Sequence, residues 1–305
     1  MEEIRRAAIE QEQLFKVLQI SEKLETLNTH FLDQEHLDYL GVAIGQPLDV
    51  DDDDDDGTWD FNTRFFQPWL PDELIAEVAW DRLWMDRLIT PISPAEWQFG
   101  ECKFRWFQHC LERLYETDKE IWDPWFLDSY EIRQGTGLDL PFRHRRMPDE
   151  DIERQYTPVA ALFPVDKTKP HVACFMTDSN VAPGDQVLYS EVHYAVQLVR
   201  FRLEQGQHTG HHTKPGMLYA LQRDQFARIT QVHFDGKSNK LVLRRSRRLD
   251  LRGPEPPKDA YLLVCWVANR PVGQTEYVDE PEPDDGAATK DSSNTAPRLL
   301  LGYAS

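Results

Sequence analysis

Apolar residues recur at helical spacing through the N-terminal half of the chain. Over residues 4–31 they form a stripe separated by Glu, Gln and Lys, which predicts an amphipathic helix that packs against this chain or against a partner. Residues 71–89 begin with proline and acidic residues and continue with a helical stripe, which predicts a second helix. Ser93, Pro94 and Glu96 form a capping box before a third, aromatic-rich helix. We therefore expect a helical first half.

The pattern changes in the second half. Residues 170–177 are apolar and predict a buried strand, and residues 186–205 predict a helix that ends at Gly206. Three short apolar segments, "PGMLYALQ", "QFARITQVHFD" and "NKLVLRRS", are separated by turn-like residues and predict an antiparallel meander. The expected fold class is α+β, with a helical N-terminal half followed by a small domain. In that domain a helix packs on an antiparallel sheet of three to four strands.

Charge and turn residues divide these patterns into segments. A stretch dense in Gly, Pro and charge separates the two halves, and an acidic, Pro-rich tail ends the chain. A last buried helix or strand, "DAYLLVCWVANRPVG", precedes that tail. The predicted segments are an amphipathic helical segment (1–45), an acidic loop (46–63), a helical region (64–130), a linker (131–168), an α+β domain (169–277) and a disordered tail (278–305).

Composition restricts the class of protein. The chain has 305 residues, enough for roughly two domains with cores of their own. Four scattered cysteines without C-x-x-C spacing favour reduced thiols. The N-terminus lacks the apolar region of a secretory signal, and the longest apolar run is nine residues, below the ~18 that suggest a membrane span. These features predict a soluble intracellular protein, cytoplasmic or nuclear, without a membrane span.

Six consecutive aspartates occupy residues 51–56. They repel one another, so a solvated loop is the favoured interpretation. A calcium site is the alternative, but the run lacks the intervening and closing residues of a D-x-D-x-D-G loop.

The stretch "GQHTGHHTKP" at residues 206–215 carries three histidines between a predicted helix and a predicted strand. They either form hydrogen bonds around the turn or contribute to a metal or acid–base site, although no H-E-x-x-H or paired C-x-x-C supports a metal. The candidate catalytic residues are His193, His208, His211, His212 and His233. The candidate metal ligands are His208, His211, His212 and Asp235. The sequence assigns no cofactor.

Positive charge is concentrated in residues 187–252. This stretch contains twelve Lys and Arg and five Asp and Glu, so its net charge is +7 and that of the remainder of the chain is −26. The arginines of the basic patch are Arg244, Arg245, Arg247, Arg248 and Arg252. They could bind phosphates, but docking against acidic residues of this chain or of a partner protein is favoured, because the acidic remainder repels a polyanion. Nucleic acid is therefore disfavoured as a partner.

Other activities lack their motifs. The order of helix and meander is similar to a restriction-endonuclease-like core, and Asp235 lies near a predicted strand end. The following strand, "KLVLRRS", lacks the E-x-K that would hold the metal, so a nucleic-acid-binding or inactive nuclease-like domain is a minor alternative. Serine hydrolase, P-loop and dinucleotide-binding motifs are missing from the sequence.

Residues 191–276 carry a family resemblance. With "RFRLEQGQHTGHHTKP", "VHFDGK", "RRLDLRG" and "DAYLLVCWVANRPVGQTEY", this stretch resembles a family of uncharacterised filamentous-fungal proteins that has no assigned catalytic motif. The resemblance implies a fungal origin and an accessory role in a secondary-metabolite gene cluster.

Two functional hypotheses follow. The chain is expected to be a noncatalytic binding or accessory protein that engages a protein partner through its helical half or its basic patch. The alternative is an enzyme that uses the histidines on a small molecule. An enzyme needs those histidines to converge in a pocket, whereas a binding protein leaves them dispersed and exposes an apolar or charged face.

Overall fold

A computed structural model of the chain describes residues 2–51, 63–68, 125–128, 145–146, 155–184, 186–253 and 255–277. The helices within these residues are α1 (Glu2–Thr26), α2 (Gln34–Leu40), α3 (Tyr189–Gln205) and α4 (Lys258–Val267). The strands are β1 (Phe31–Leu32), β2 (Val42–Ile44), β3 (Phe66–Gln67), β4 (Trp125–Asp128), β5 (Arg145–Arg146), β6 (Gln155–Pro164), β7 (Val172–Asp178), β8 (Val187–Leu188), β9 (Gly216–Gln222), β10 (Phe226–Asp235), β11 (Lys240–Arg245), β12 (Leu249–Asp250) and β13 (Arg270–Pro271). None of the described helices is long and apolar enough to cross a bilayer.

One mixed sheet organises the described residues. Seven strands follow the hydrogen-bonded order β2-β11-β10-β9-β7-β6-β4, while β12 pairs with β10 and β5 with β6. The β7–β9 and β2–β11 pairs are parallel, and the other pairs of this sheet are antiparallel. Two short antiparallel pairs, β1–β8 and β3–β13, lie outside it.

The parallel pair β7–β9 is joined through α3, which gives a strand–helix–strand unit. Gly206 ends α3 in the left-handed conformation, with φ of 61°, and Gly216 begins β9. A Cβ atom on Gly216 would lie 2.8 Å from Val232 Cγ1 and 3.2 Å from Leu198 Cδ1. Glycine at this position therefore allows α3 to pack closely on the sheet.

The sheet separates two apolar cores. In β9, Leu218 and Ala220 face α1, α2 and α3, whereas Met217 and Tyr219 face the core that contains α4. This alternation follows from the two-residue period of a strand. Because both faces are covered by helices, β9 is buried along its whole length.

The expected fold class was wrong. The predicted meander is present as β9, β10 and β11, but it is the middle of a larger mixed sheet rather than a small antiparallel one. The physical reason is that β7 is buried on both faces, as strands of parallel sheets are, and α3 provides the crossover that parallel pairing requires. The last apolar segment, predicted as helix or strand, is the helix α4.

Elements from outside residues 169–277 also contribute to the sheet and its cores. Residues 155–164 belong to the predicted linker, yet they form β6, which pairs with both β7 and β4. The N-terminal segment contributes β2 to the sheet and α1 to the core beneath α3. Residues 52–56, the predicted helices over residues 71–89 and after Ser93, and the tail from residue 278 lie outside the described residues.

Candidate functional site

The histidine loop, residues 207–215, connects α3 to β9 and is held by the backbone of residues 275–277. His212 N donates to Thr275 O at 2.8 Å, and Tyr277 N donates to Gly210 O at 3.0 Å. His211 forms an isolated antiparallel bridge with Glu276. The loop is therefore fixed by main-chain hydrogen bonds to a segment that is distant in sequence.

The three histidine side chains of this loop also make local contacts. His211 Nδ1 lies 2.8 Å from Thr275 Oγ1, and His212 Nδ1 lies 2.7 Å from Thr213 Oγ1. The His208 and His211 rings meet edge to face, with centroids 5.9 Å apart. Burial lowers the pKa of all three, that of His208 to about 4, and so favours the neutral form of each ring. These contacts support the interpretation that the histidines stabilise a turn.

A buried ion pair fixes the same loop to α1. Lys214 Nζ lies 2.9 Å from Glu10 Oε1, and the two side chains are only 3% and 6% exposed. Lys214 Nζ also donates to His211 O at 2.7 Å. Burial lowers the pKa of Lys214, while Glu10 acts in the opposite direction. The loop, α1 and the 275–277 segment thus form one connected polar cluster.

Of the remaining candidate histidines, His193 lies far from the histidine loop, whereas His233 lies beside its end, one residue beyond the Val232–Gly216 pair of β10 and β9. His193 is in the first half of α3, ~18 Å along the helix axis from the histidine loop, and its Nδ1 lies 3.2 Å from Tyr156 OH. His233 packs edge to face against Phe65, with ring centroids 5.1 Å apart. Burial lowers the pKa of His233 to about 4. The five candidate catalytic histidines therefore do not all converge, because His193 lies in the first half of α3.

The predicted metal ligands do not form a site either. Asp235 accepts hydrogen bonds from Lys237 N and from the Ser238 backbone and hydroxyl, so it caps the β10–β11 turn. Among the described residues, no group of three or more His, Cys, Asp or Glu side chains is arranged to hold a metal ion.

Two arginines of the basic patch are used inside the molecule. Arg244 donates to Thr63 O at 2.7 Å and to Gln46 O at 3.1 Å, and so holds segments that precede the patch by almost two hundred residues. Arg245 Nη2 lies 3.0 Å from Glu191 Oε2. Both arginines therefore stabilise the fold.

Arg247 binds two aspartates at the surface. Its guanidinium donates to both carboxylate oxygens of Asp51, at 2.6 and 2.7 Å, and to both of Asp259, at 2.7 and 2.9 Å. These hydrogen bonds lower the pKa of Asp51. Asp51 begins the aspartate run, so part of the basic patch docks against an acidic residue of this chain, as the favoured interpretation of the sequence predicts.

Arg248 and Arg252 are exposed, as Arg247 is, and both lie against one aromatic ring. Their Cζ atoms lie 4.3 and 4.6 Å from the centroid of the Phe226 ring. Arg252 also pairs with Asp250, whose side chain is 45% exposed, with Nη2 and Oδ2 2.5 Å apart. Among the described residues, Arg248 has no carboxylate within ion-pair distance. We name Phe226, Arg248 and Arg252 the Arg–Phe–Arg surface.

A second buried polar cluster lies at the carboxyl end of β7. Asp178 accepts hydrogen bonds from the Ser190 hydroxyl and from Asn180 N and Nδ2. Burial raises the pKa of Asp178 to about 6, and these hydrogen bonds oppose the shift. Burial also raises the pKa of Glu191, whose partner Arg245 acts in the opposite direction. Ser190 and Glu191 belong to the first turn of α3, so this cluster connects the start of α3 to the sheet.

The sequence interpretation missed the main members of both clusters. Glu10 is an acidic residue within an amphipathic stripe, and such residues are usually solvated. Asp178 ends a mostly apolar strand that precedes a helix, which is a recognisable signal, because the carboxyl ends of parallel strands commonly hold ligand sites. Nothing in the local pattern indicates that Lys214 would be buried.

Comparison of the chain with protein-family models, with curated proteins and with solved structures gave no match.

Proposed function

We propose that the protein is a noncatalytic binding protein that engages an acidic segment of a partner protein through the Arg–Phe–Arg surface. The supporting observation is the exposed pair of guanidinium groups over one aromatic ring, with Arg252 57% exposed and both Cζ atoms less than 5 Å from the Phe226 centroid. The local hydrogen bonds of His211 and His212 favour a structural role for the histidine loop over acid–base chemistry. The accessory role in fungal secondary metabolism, which the sequence resemblance implies, is part of this proposal.

The chemistry of this surface suits carboxylates. Contact with an aromatic ring orients a guanidinium group while its N–H edges stay able to donate. In Arg252 the Nε and Nη2 groups already donate to Asp250, which leaves Nη1 of Arg252 and the guanidinium of Arg248 to bind a partner. Arginine binds carboxylates through two parallel hydrogen bonds, which gives geometric specificity as well as attraction. A short acidic segment fits better than a nucleic acid, whose dense charge is repelled by the acidic remainder of the chain.

Fluorescence anisotropy with a short labelled peptide rich in glutamate tests this proposal. We expect salt-sensitive binding by the full chain and a loss of about tenfold or more in affinity for the R248A/R252A double variant. The matched control is K237A/K240A, which removes the same charge from exposed positions in and beside the β10–β11 turn and should keep the affinity.

Three results would contradict the proposal. They are failure of the full chain to bind the peptide, equal loss in both double variants, and tighter binding to a labelled single-stranded oligonucleotide of the same length. The second result would mean that only net charge matters, and the third would favour the nucleic-acid alternative.

A further inference from the structure

Three buried polar side chains near the β9–β10 turn have unmet hydrogen-bonding capacity. Gln222 is 2% exposed, and neither its Nε2 nor its Oε1 has a hydrogen-bond partner. Arg228 is 7% exposed, its Nε has no partner, and it forms no ion pair within the part of the chain that the structure describes. The Thr230 hydroxyl is fully buried and also lacks a partner. Buried polar groups are normally paired, and a buried cation without a counter-ion is costly, so this set needs a physical explanation.

The register of the sheet brings these side chains together on one face. Gln222 pairs with Phe226, and Arg228 pairs with Ala220, so Gln222 and Arg228 occupy diagonal positions of the β9–β10 pair. Diagonal neighbours on one face are within reach of long side chains. Thr230 follows two residues after Arg228 and therefore lies on the same face, beneath α3.

The first turn of α3 lies above this set. Ser190 bonds to Asp178 on β7, and Glu191 contacts Arg245 on β11, so the turn crosses the two strands between them, β9 and β10. The amino end of a helix carries partial positive charge from its backbone N–H groups. These N–H groups add to the positive potential of Arg228, while the carboxylate of Glu191 in the same turn is balanced by Arg245.

The nearby carboxylates do not neutralise Arg228. Glu191 contacts Arg245, and Asp178 accepts hydrogen bonds from Ser190 and Asn180. Neither carboxylate lies within ion-pair distance of Arg228. The site thus combines a guanidinium group, an amide and a hydroxyl, all able to donate, next to the positive end of a helix.

We propose that Gln222, Arg228 and Thr230 bind an oxyanion group, a carboxylate or a phosphate, of a small ligand beneath the first turn of α3. The planar guanidinium donates two parallel hydrogen bonds to such a group, and the amide and the hydroxyl each supply one more. Gln222 directly precedes the β9–β10 turn, whose Asp224 side chain is 65% exposed, so the site lies close to solvent. It uses none of the three residues of the Arg–Phe–Arg surface.

The test is the melting temperature of the purified full chain in sodium phosphate and in sodium citrate, each compared with sodium chloride at the same ionic strength. We expect a saturating rise in Tm with phosphate or with citrate, and the stronger of the two identifies the group as phosphate or carboxylate. R228M should abolish the rise, and Q222L should weaken the apparent affinity. R223M, in the exposed turn beside the site, is the matched control and should keep the full response.

Two results would overturn the proposal. One is a wild-type Tm that follows ionic strength alone, and the other is an R228M response equal to that of the wild type. If R228M does not fold, R228K keeps the charge but not the planar fork, and its apparent affinity should be about tenfold weaker. The R248A/R252A variant should keep the anion response, so failure of the peptide experiment and failure of this one are distinguishable.

Discussion

The two ends of the β7–α3–β9 unit use buried polar residues in different ways. At the end where α3 stops, the histidine loop contacts α1 and residues 275–277, and His211 Nδ1, His212 Nδ1 and Lys214 Nζ make local hydrogen bonds. At the end where α3 begins, Gln222 and Arg228 are equally buried but have bonds left to form. A dense cluster of histidines therefore marks a structural junction here, whereas unmet bonding capacity marks the better candidate for a ligand.

The location of the second cluster agrees with this contrast. Ligands of α/β proteins commonly bind outside the carboxyl ends of parallel strands, near helix amino termini. Asp178 and Gln222 end the two parallel strands of this unit and pair directly with each other. The histidine loop lies at the opposite end, where residues more often serve stability.

The largest expected effect comes from breaking the ion pair at the histidine end. Lys214→Met leaves the buried Glu10 carboxylate without its partner, and we expect a loss of about 3–5 kcal/mol in the free energy of unfolding. Urea unfolding followed by tryptophan fluorescence measures this loss. The double variant K214M/E10Q removes both charges and should recover a large part of it. A loss below about 1 kcal/mol for K214M would mean that the loop is not fixed to α1 as described.

The next largest effect is a dependence of the free energy of unfolding on pH, which differs between the two ends. The pKa of Asp178 is raised from 3.8 to about 6, so the folded state holds a proton that the unfolded state has released in this interval. Stability from this group is present below pH ~3.8, falls as pH rises to about 6, and is constant above that, a change of about 3 kcal/mol. Denaturation of wild type and D178N across this range measures it, and the difference between the two should change in favour of D178N as pH rises.

At the histidine end, stability is expected to change with pH in the opposite direction. Burial lowers the pKa of His208 to about 4, so its contribution to stability is present above pH ~6.5 and is lost as pH falls through about 4.

The variant S190A tests the Asp178 end further, because loss of the Ser190 hydrogen bond should raise the pKa of Asp178 and extend the pH interval of its effect to higher pH. An unchanged pH profile in D178N would contradict the description of that end.

A smaller effect tests whether the histidine side chains stabilise the junction. Thr275→Val removes the hydroxyl that lies 2.8 Å from His211 Nδ1, and a buried ring nitrogen without its partner should cost about 1–2 kcal/mol. The matched control is T168V, whose exposed hydroxyl donates to Asp166 and should change the unfolding free energy by less than about 0.5 kcal/mol. Equal effects of the two substitutions would show that the His211 contact carries no special weight.

Local patterns in the sequence predicted the elements of this unit better than their arrangement. The helix α3 and the meander β9, β10 and β11 follow from apolar spacing and turn residues, which are properties of adjacent positions. The parallel pairing of β7 with β9 and the addition of β2 are contacts between distant segments, and a three-residue strand has too short a pattern to recognise. The histidines of the loop were recognised because three of them lie close together in the sequence. The proximity of Gln222, Arg228 and Thr230 depends on strand register, which the sequence did not indicate.

The smallest effect concerns backbone strain at the carboxyl end. Asp224 and Gln225 in the β9–β10 turn both have positive φ, 59° and 62°, and glutamine is not a residue that favours this region. Gln225→Gly relieves the steric conflict but gives the unfolded chain more freedom, so we expect a net gain of about 0.5–1 kcal/mol in the free energy of unfolding. The backbone hydrogen bond from Leu251 N to Gln225 O stays in place, and Q225A, which keeps the Cβ atom, should give no gain. If Q225G instead destabilises the protein, the turn is stabilised by its glutamine side chain rather than strained at this residue, and backbone strain no longer distinguishes this end from the histidine end.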